Sequence, residues 1–404
     1  MSEGRFAGID WASEEHAVCV VDADGRIVEG RRYRHDEHGI RALCARLLEL
    51  GVSLAAIERP DGLLIERLLD AGLSVIAIHP NQVAAMRPRF SAAGGKSDNF
   101  DAFVLAELAR TDSHRFRVLR PDSDQTKALR ALTRAREDLV AHRVALANEL
   151  RAQLEGFWPG AAKVFADIDS PIALAFLARY PSPADARGLG EQRLGAFLVR
   201  HSYTGRKTPG ELLARLRSAA EGRAGQLETG ARRQVVLELV AILEPMVAQI
   251  RELNRKIRAA LHAHPDGPTF QSLFIDPNSV VTAATMLAEI GDSRERYPTY
   301  RALAADGGQA PVAIESGKSK HARFRWACDH RLRDAIATMA DASRHHNPWA
   351  VDIYTRARSR GASHQHAIRI LGRAWCMLIW RLWHDHDVYD PDRHTARQHL
   401  AAST

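Results

Sequence analysis

Strand-forming sequence stops near Arg120, and this change of pattern constrains the chain more than any other feature. Before it, short β-prone runs alternate with helical ones. RFAGID (5–10), HAVCVVD (16–22) and RIVEGRRYR (26–34) come first, the last two joined by Ala23-Asp24-Gly25. Asp-Gly between two β-prone runs is a hairpin signal, so three antiparallel strands are expected. Glu37 to Leu50 places Ile40, Leu43, Leu47 and Leu50 on one helical face. LAAIE (54–58) reads as a buried strand, 61–69 as a helix and SVIAIHP (74–80) as a strand stopped by proline. Residues 94–110 read as a loop and then a helix. The order β-β-β-α-β-α-β-α predicts a mixed α/β sheet.

After Arg120 the pattern is helical. Residues 122–156 carry leucines at 129, 132, 139, 146, 150 and 154, and Trp158-Pro159-Gly160 ends the run. The stretch 160–225 is irregularly helical. Val236, Leu239, Leu243, Met246, Ile250, Leu253 and Ile257 then follow at alternating spacings of 3 and 4, an a/d seam. The seam suits either a hairpin packed on the 129–154 helix or a coiled coil between subunits. Pro245 inside it is expected to kink or interrupt the helix. HAHPDGPT (262–269) marks a boundary. Beyond it come a helix at 279–290, a glycine turn at Asp306-Gly307-Gly308, and helices at about 321–343 and 363–384. These divisions give an α/β domain at 1–120, a helical coiled-coil or dimerisation region at 121–264, and a mainly helical C-terminal domain at 265–404.

Composition narrows the class. Of the 404 residues, 46% are hydrophobic and 26% charged, which excludes a disordered or collagen-like chain. No apolar run reaches the roughly 18 residues of a membrane span. The N-terminus has no basic segment followed by an apolar one, so a cytoplasmic protein is expected. Cys19, Cys44, Cys328 and Cys376 are scattered and read as small buried hydrophobes. The net charge is +7, yet residues 316–375 alone hold 12 Lys/Arg against 4 Asp/Glu, a net of +8. Such a block suits either a polyanionic partner or a solvated helix face.

Four acids stand out. Asp10 ends the first strand and Glu58 a later one, while Asp98 and Asp101 lie at i and i+3 at the start of a helix. Strand-end acids point to the ligand-binding edge of an α/β sheet. Four hard oxygen donors from three elements are what two Mg²⁺ ions require. Asp98 also fits as an N-cap and Asp10 as a turn residue, whereas Glu58, at the end of an apolar run, needs a partner. Ser316-Gly317-Lys318 lies in a loop after Pro311, with Lys320, Arg323 and Arg325 close behind. Alone, it reads as a phosphate-contact loop. His345-His346, His364-x-His366 and His384-x-His386 match no closed zinc pattern and read as surface or nucleic-acid contacts. Trp375, Trp380 and Trp383 read as core. Arg356, Arg358, Arg360 and Arg369 suit phosphate contacts or a solvated face.

The strand ending in Asp10, the strand-end Glu58 and Lys96-Ser97-Asp98-x-x-Asp101 together resemble the DEDD tetrad of a RuvC-like, RNase H-type nuclease fold. More narrowly, they resemble the DEDD recombinases of insertion-sequence family one-hundred-and-ten, the bridge-RNA-guided transposases. Leu287-Ala288-Glu289-Ile290-Gly291-Asp292, Tyr297-Pro298, Gly308-x-x-Pro311 and Ser316-Gly317-Lys318 resemble that family's second domain. Where the family has a glycine-rich loop, this chain reads Phe274-Ile275-Asp276-Pro277-Asn278.

The resemblance implies a DNA transposase or recombinase with Mg²⁺ held by Asp10, Glu58, Asp98 and Asp101. It makes Ser316 a nucleophile that forms a covalent phosphoserine link to DNA. It implies donor and target DNA, a structured guide RNA and a homo-oligomer, dimer or tetramer, as partners. Lys318, Lys320, Arg323, Arg325, Arg356, Arg358 and Arg360 become candidate nucleic-acid contacts. The competing expectation is a RuvC-like, Mg²⁺-dependent nuclease or Holliday-junction resolvase that uses water.

Overall fold

The computed structural model describes residues 4–58, 62–91, 97–219, 224–276, 279–316 and 319–394. Arg59, Pro60, Lys96, Pro277, Asn278, Gly317 and Lys318, singled out above, lie outside these residues. The described chain forms two compact units. One comprises residues up to 123 together with 292–298, and the other comprises 124–291 and 299 onward. The middle and C-terminal regions distinguished by sequence thus belong to one unit.

The first unit is a five-stranded sheet with helices on both faces. Its elements are β1 (Arg5–Asp10), β2 (Glu15–Val21), β3 (Ile27–Arg34), α1 (Glu37–Glu49), β4 (Val52–Ile57), α2 (Leu63–Asp70), β5 (Val75–Ala77), α3 (Pro80–Phe90) and α4 (Asp98–Asp112). The strand order is β3-β2-β1-β4-β5. β2 runs antiparallel to β1 and β3, and β1, β4 and β5 are parallel. This is the mixed sheet expected, and it has the RNase H-like arrangement. Side chains alternate across it. Ala7, Ile9, Ala55 and Ile57 join α1 and α2 in one core, while Leu54, Ala56 and Ile76 pack under α4 on the other face. Gly8 lies beneath α4, where any Cβ would collide with the backbone of Ala102 and Ala106. Helix and strand approach this closely only because the residue is glycine.

The run 74–80 is shorter as a strand than expected. β5 ends at Ala77, and His79 caps a helix that begins at Pro80. Proline is well suited to the first helical position, so the same residue that stops the strand starts α3.

The second unit is almost entirely helical. α5 (Asp124–Phe157) leads to the short helices α6 (Ala161–Val164), α7 (Pro171–Arg179), α8 (Glu191–Arg200) and α9 (Pro209–Arg217). α10 (Gln226–Ala263) returns along α5 and is continuous through Pro245. The expected interruption is absent because Pro245 and Ala241, whose carbonyl loses its amide partner, both face solvent. Val236, Leu239, Leu243, Ile250 and Ile257 of the seam are buried within this single chain. Val236, Leu239 and Leu243 share a core with Leu150 and Leu154 of α5 and Phe176 of α7. Within this chain the seam is that of an intramolecular hairpin, the first of the two arrangements that its spacing suits.

The remaining elements are α11 (Gly267–Ser272), α12 (Val280–Ile290), α13 (Tyr300–Asp306), β6 (Val312–Ser316), β7 (Ser319–Arg323), α14 (His330–Ser343), α15 (Pro348–Ser359) and α16 (His364–Asp385). The expected helix at 321–343 starts only at His330, where Asp329 caps it by accepting from the Leu332 amide at 3.0 Å. The basic residues before it belong to the β6–β7 hairpin. Trp375 and Trp383 are buried as expected, and Trp380 is partly buried. Burial pushes the Cys19 thiol up to about 11 and that of Cys376 to about 12, which suits inert packing. Among the described residues, no helix is long and apolar enough to cross a membrane.

Candidate active site

The acids meet at one end of the sheet because the register aligns them. Ile9 of β1 is paired with Ile57 of β4, so Asp10 and Glu58 follow at the same level. Both share the parity of Gly8 and Ala56, the face beneath α4. Ser97 caps α4, its hydroxyl accepting from the Phe100 amide at 3.2 Å. Asp98 opens the helix, and Asp101 lies one turn on, buried at 4% exposure.

An arginine that the sequence reading did not single out completes this arrangement. Arg87 of α3 grips Asp101 with two parallel hydrogen bonds, Nε to Oδ1 at 2.6 Å and Nη2 to Oδ2 at 2.8 Å. These bonds push the guanidinium above its ordinary value. Burial opposes the shift, and the charges of Asp101, Glu58 and Asp10 reinforce it. Three of the four acids thus act on one cation. Asp98 stands at the rim, paired with Arg32 of β3 at 3.3 Å.

The turn after Asp10 has its own brace. His16 of β2 is fully buried. Its Nδ1 accepts from the Ala12 amide at 3.3 Å, which leaves the proton on Nε2 to be donated to Nδ1 of His35 at 2.8 Å. Burial first, and the charge of His35 second, hold the His16 pKa down near 4, so the ring is neutral at ordinary pH. Trp11 lies against both rings, at centroid distances of 6.4 and 6.1 Å.

Among the described residues, no three His, Cys, Asp or Glu side chains are grouped as a ready cation cage. The donor chemistry nonetheless fits Mg²⁺, since all four candidates are carboxylates and three converge where a positive charge already resides. Arg87 supplies that charge in this structure.

The second motif is divided between two roles. Glu289 of α12 is buried at 2% exposure, and both of its oxygens accept from Arg134 of α5, at 2.8 and 2.7 Å. Gly291 ends α12 at φ 83°, a backbone that favours glycine. Asp292 then ties the chain to the first unit. Its carboxylate accepts from the Ser123 amide, and its own amide donates to Asp122 at 2.9 Å. Arg117 adds a bond to the Glu295 carbonyl at 2.6 Å. The segment 292–298 is thereby a strap on the first unit.

Ser316 is the last residue of β6 and lies opposite Ser319, the first of β7, with Lys320 next in the strand. Arg323 ends β7 and Arg325 follows it, both lining a cavity. Arg356, Arg358 and Arg360 are exposed along the end of α15. Arg356 is paired with Asp352, and Arg358 donates to the Ala362 carbonyl at 2.7 Å. His345, His346, His364 and His366 are exposed, as expected for surface histidines.

Comparison with known proteins agrees with the two motif regions. Residues 7–159 match a DEDD transposase family and residues 278–355 a family described as transposase IS116/IS110/IS902. The chain is 33% identical over 379 residues to the mini-circle putative transposase for IS117 of Streptomyces coelicolor, covering 91% of this chain and 90% of that relative. It is 29% identical to the uncharacterized 43.6 kDa protein of insertion element IS110 from the same organism, over 99% of this chain and 98% of the relative. Among solved structures, it is similar to T. thermophilus RuvC in complex with a Holliday junction substrate. That likeness has 18% identity and a TM-score of 0.24, over 29% of this chain and 99% of the other.

Proposed function

The chain belongs to the IS110 family of transposases and is therefore an enzyme; on that premise we propose that it cuts and rejoins DNA strands at a Mg²⁺-dependent DEDD site with a serine nucleophile. The observation that carries most weight is the alignment of Asp10 and Glu58 on the face where Gly8 lets α4 bring Asp101 close. Asp10, Glu58, Asp98 and Asp101 would hold the metal. The chemistry supplied by such ions is polarisation of the scissile phosphate and stabilisation of the departing oxygen.

Ser316 supplies the attacking hydroxyl. Its oxygen forms a bond to phosphorus as the bond to the departing strand oxygen breaks, and that oxygen takes up a proton in place of the one serine releases. The resulting phosphoserine ester conserves the phosphate bond. A hydroxyl from a second strand then displaces the serine without ATP. Attack requires the hydroxyl within roughly 3–3.5 Å of the phosphate. A structured RNA that selects donor and target DNA, and a homo-oligomer, complete the proposal. The net of +8 across residues 316–375 supports a polyanionic partner.

The test is a denaturing gel of DNA after incubation with Mg²⁺ and either wild type or Ser316→Ala. A protein-linked band is expected for the wild type only, with peptide mapping placing the link on Ser316. Asp101→Ala should give no cleavage. Equal cleavage by Ser316→Ala, with free ends and no linked band, would instead identify a hydrolase that uses water.

A further inference from the structure

We propose that the second unit holds a binding site for an unpaired nucleotide, in two adjoining cavities beside the β6–β7 hairpin. The inference deepens the transposase reading and rests on it. Both cavities, of about 350 and about 740 Å³, use Gln309, Phe324 and Arg369 as a common wall. Their volumes fall within the usual range of small-molecule sites.

The two halves differ in chemistry. The smaller is lined by Arg323, Arg325, Arg369 and Arg373 and by no carboxylate. Four arginines lining one space suit a phosphate, which arginine binds through paired N–H donors. The larger half presents Trp326, which is 73% exposed. Trp326 meets Phe324 edge to face, with ring centroids 4.8 Å apart and planes at 80°. Arg369 lies over the Phe324 ring at 5.1 Å and fixes that ring in the shared wall. Phe324 thus braces Trp326, whose high exposure leaves ring surface for a ligand. Asp341 and Thr338 in the same half can accept hydrogen bonds from exocyclic amines.

A ligand with an anionic part and a flat aromatic part matches both halves. In a nucleic-acid enzyme that ligand is a nucleotide unit. It must be unpaired, because a base within a duplex already has neighbours stacked on both faces. The wall residue Phe324 directly follows β7, whose partner strand ends at Ser316. The site therefore shares a hairpin with the proposed nucleophile.

The full-length protein should be titrated, by fluorescence anisotropy, into labelled oligothymidylate, oligouridylate and a short DNA duplex. Trp326→Ala should weaken unpaired-strand binding by roughly ten-fold, the scale of one stacked base, and leave duplex binding within about two-fold. Trp326→Phe should restore most of the loss. Arg373→Ala should weaken binding and reduce the salt dependence by about one counter-ion. The stronger of the two unpaired ligands identifies the source as DNA or RNA. Equal losses for duplex and unpaired strands, or no loss for either, overturn the site. If the wild type cleaves DNA while Trp326→Ala changes nothing, the subsite fails and the transposase reading stands. If Trp326→Ala loses unpaired strands selectively but the wild type cleaves no DNA, the reverse holds.

Discussion

Arg87 and Asp101 show how much of the proposed catalytic centre can turn on one ion pair. Asp101 is only 5% exposed at its side chain, so its negative charge requires a partner at close range. Arg87 meets that need and also faces the charges of Glu58 and Asp10. A divalent ion bound by the same carboxylates would make the arginine's charge redundant. Arg87→Ala should therefore destabilise the ion-free protein by about 3–5 kcal/mol, the usual cost of leaving a buried charge unpaired. Added Mg²⁺ should raise the melting temperature of this variant more than that of the wild type, since binding to the folded form alone is stabilising. Equal rises would separate Arg87 from the ion's site. The four acids were legible because strand ends and an i, i+3 pair are local signals. Arg87 was not, since it follows a proline-stopped strand, precedes Pro88, and gains its meaning only when α3 reaches Asp101 across the fold.

At the level of elements, the decisive contact is between β1 and α4. Glycine at position 8 has no special backbone angle to explain it, but it leaves no gap for even one methyl group. Gly8→Ala should push α4 off the sheet, moving Asp98 and Asp101 relative to Asp10. A displacement near 1 Å is enough to lower the cleavage rate by about a hundred-fold, with an overpacking cost of about 1–3 kcal/mol. Gly30→Ala, where nothing lies within 4 Å, is the matched control and should keep both rate and stability. A Gly8→Ala enzyme with wild-type cleavage would show that α4 does not set the site. The elements read correctly were those with strong periodicity or a decisive turn, such as the Asp24-Gly25 hairpin and the long α5 and α10. The β6–β7 hairpin was missed because its alternation is obscured by Lys, Arg and His. The start of α15 was available in Asn347-Pro348, since Asn347 caps by accepting from the Trp349 and Ala350 amides.

For the whole molecule, the main question the sequence left open is what the apolar seam holds together. Leu243 and Ile250 are 0% and 3% exposed within one chain. Replacing both with lysine should unfold the helical unit, at a cost of at least 2–5 kcal/mol for each lost core side chain. Circular dichroism should show reduced helix and a lower melting temperature. A variant that keeps its helix but halves its sedimenting mass would return the seam to a subunit interface. The periodicity identified the right residues, but a 3-4 spacing is the same whether the facing helix comes from this chain or another. The strap at 292–298 has a further consequence, for the order in which the protein is made. All four acids have been synthesised by Asp101, yet the unit that carries them also includes residues that follow α12. At ordinary elongation speeds the interval between residue 123 and residue 298 lasts roughly ten to thirty seconds. During that time a ribosome displays the acidic cluster without its last stabilising segment, and the proposed cutting centre is completed only after most of the helical unit has emerged.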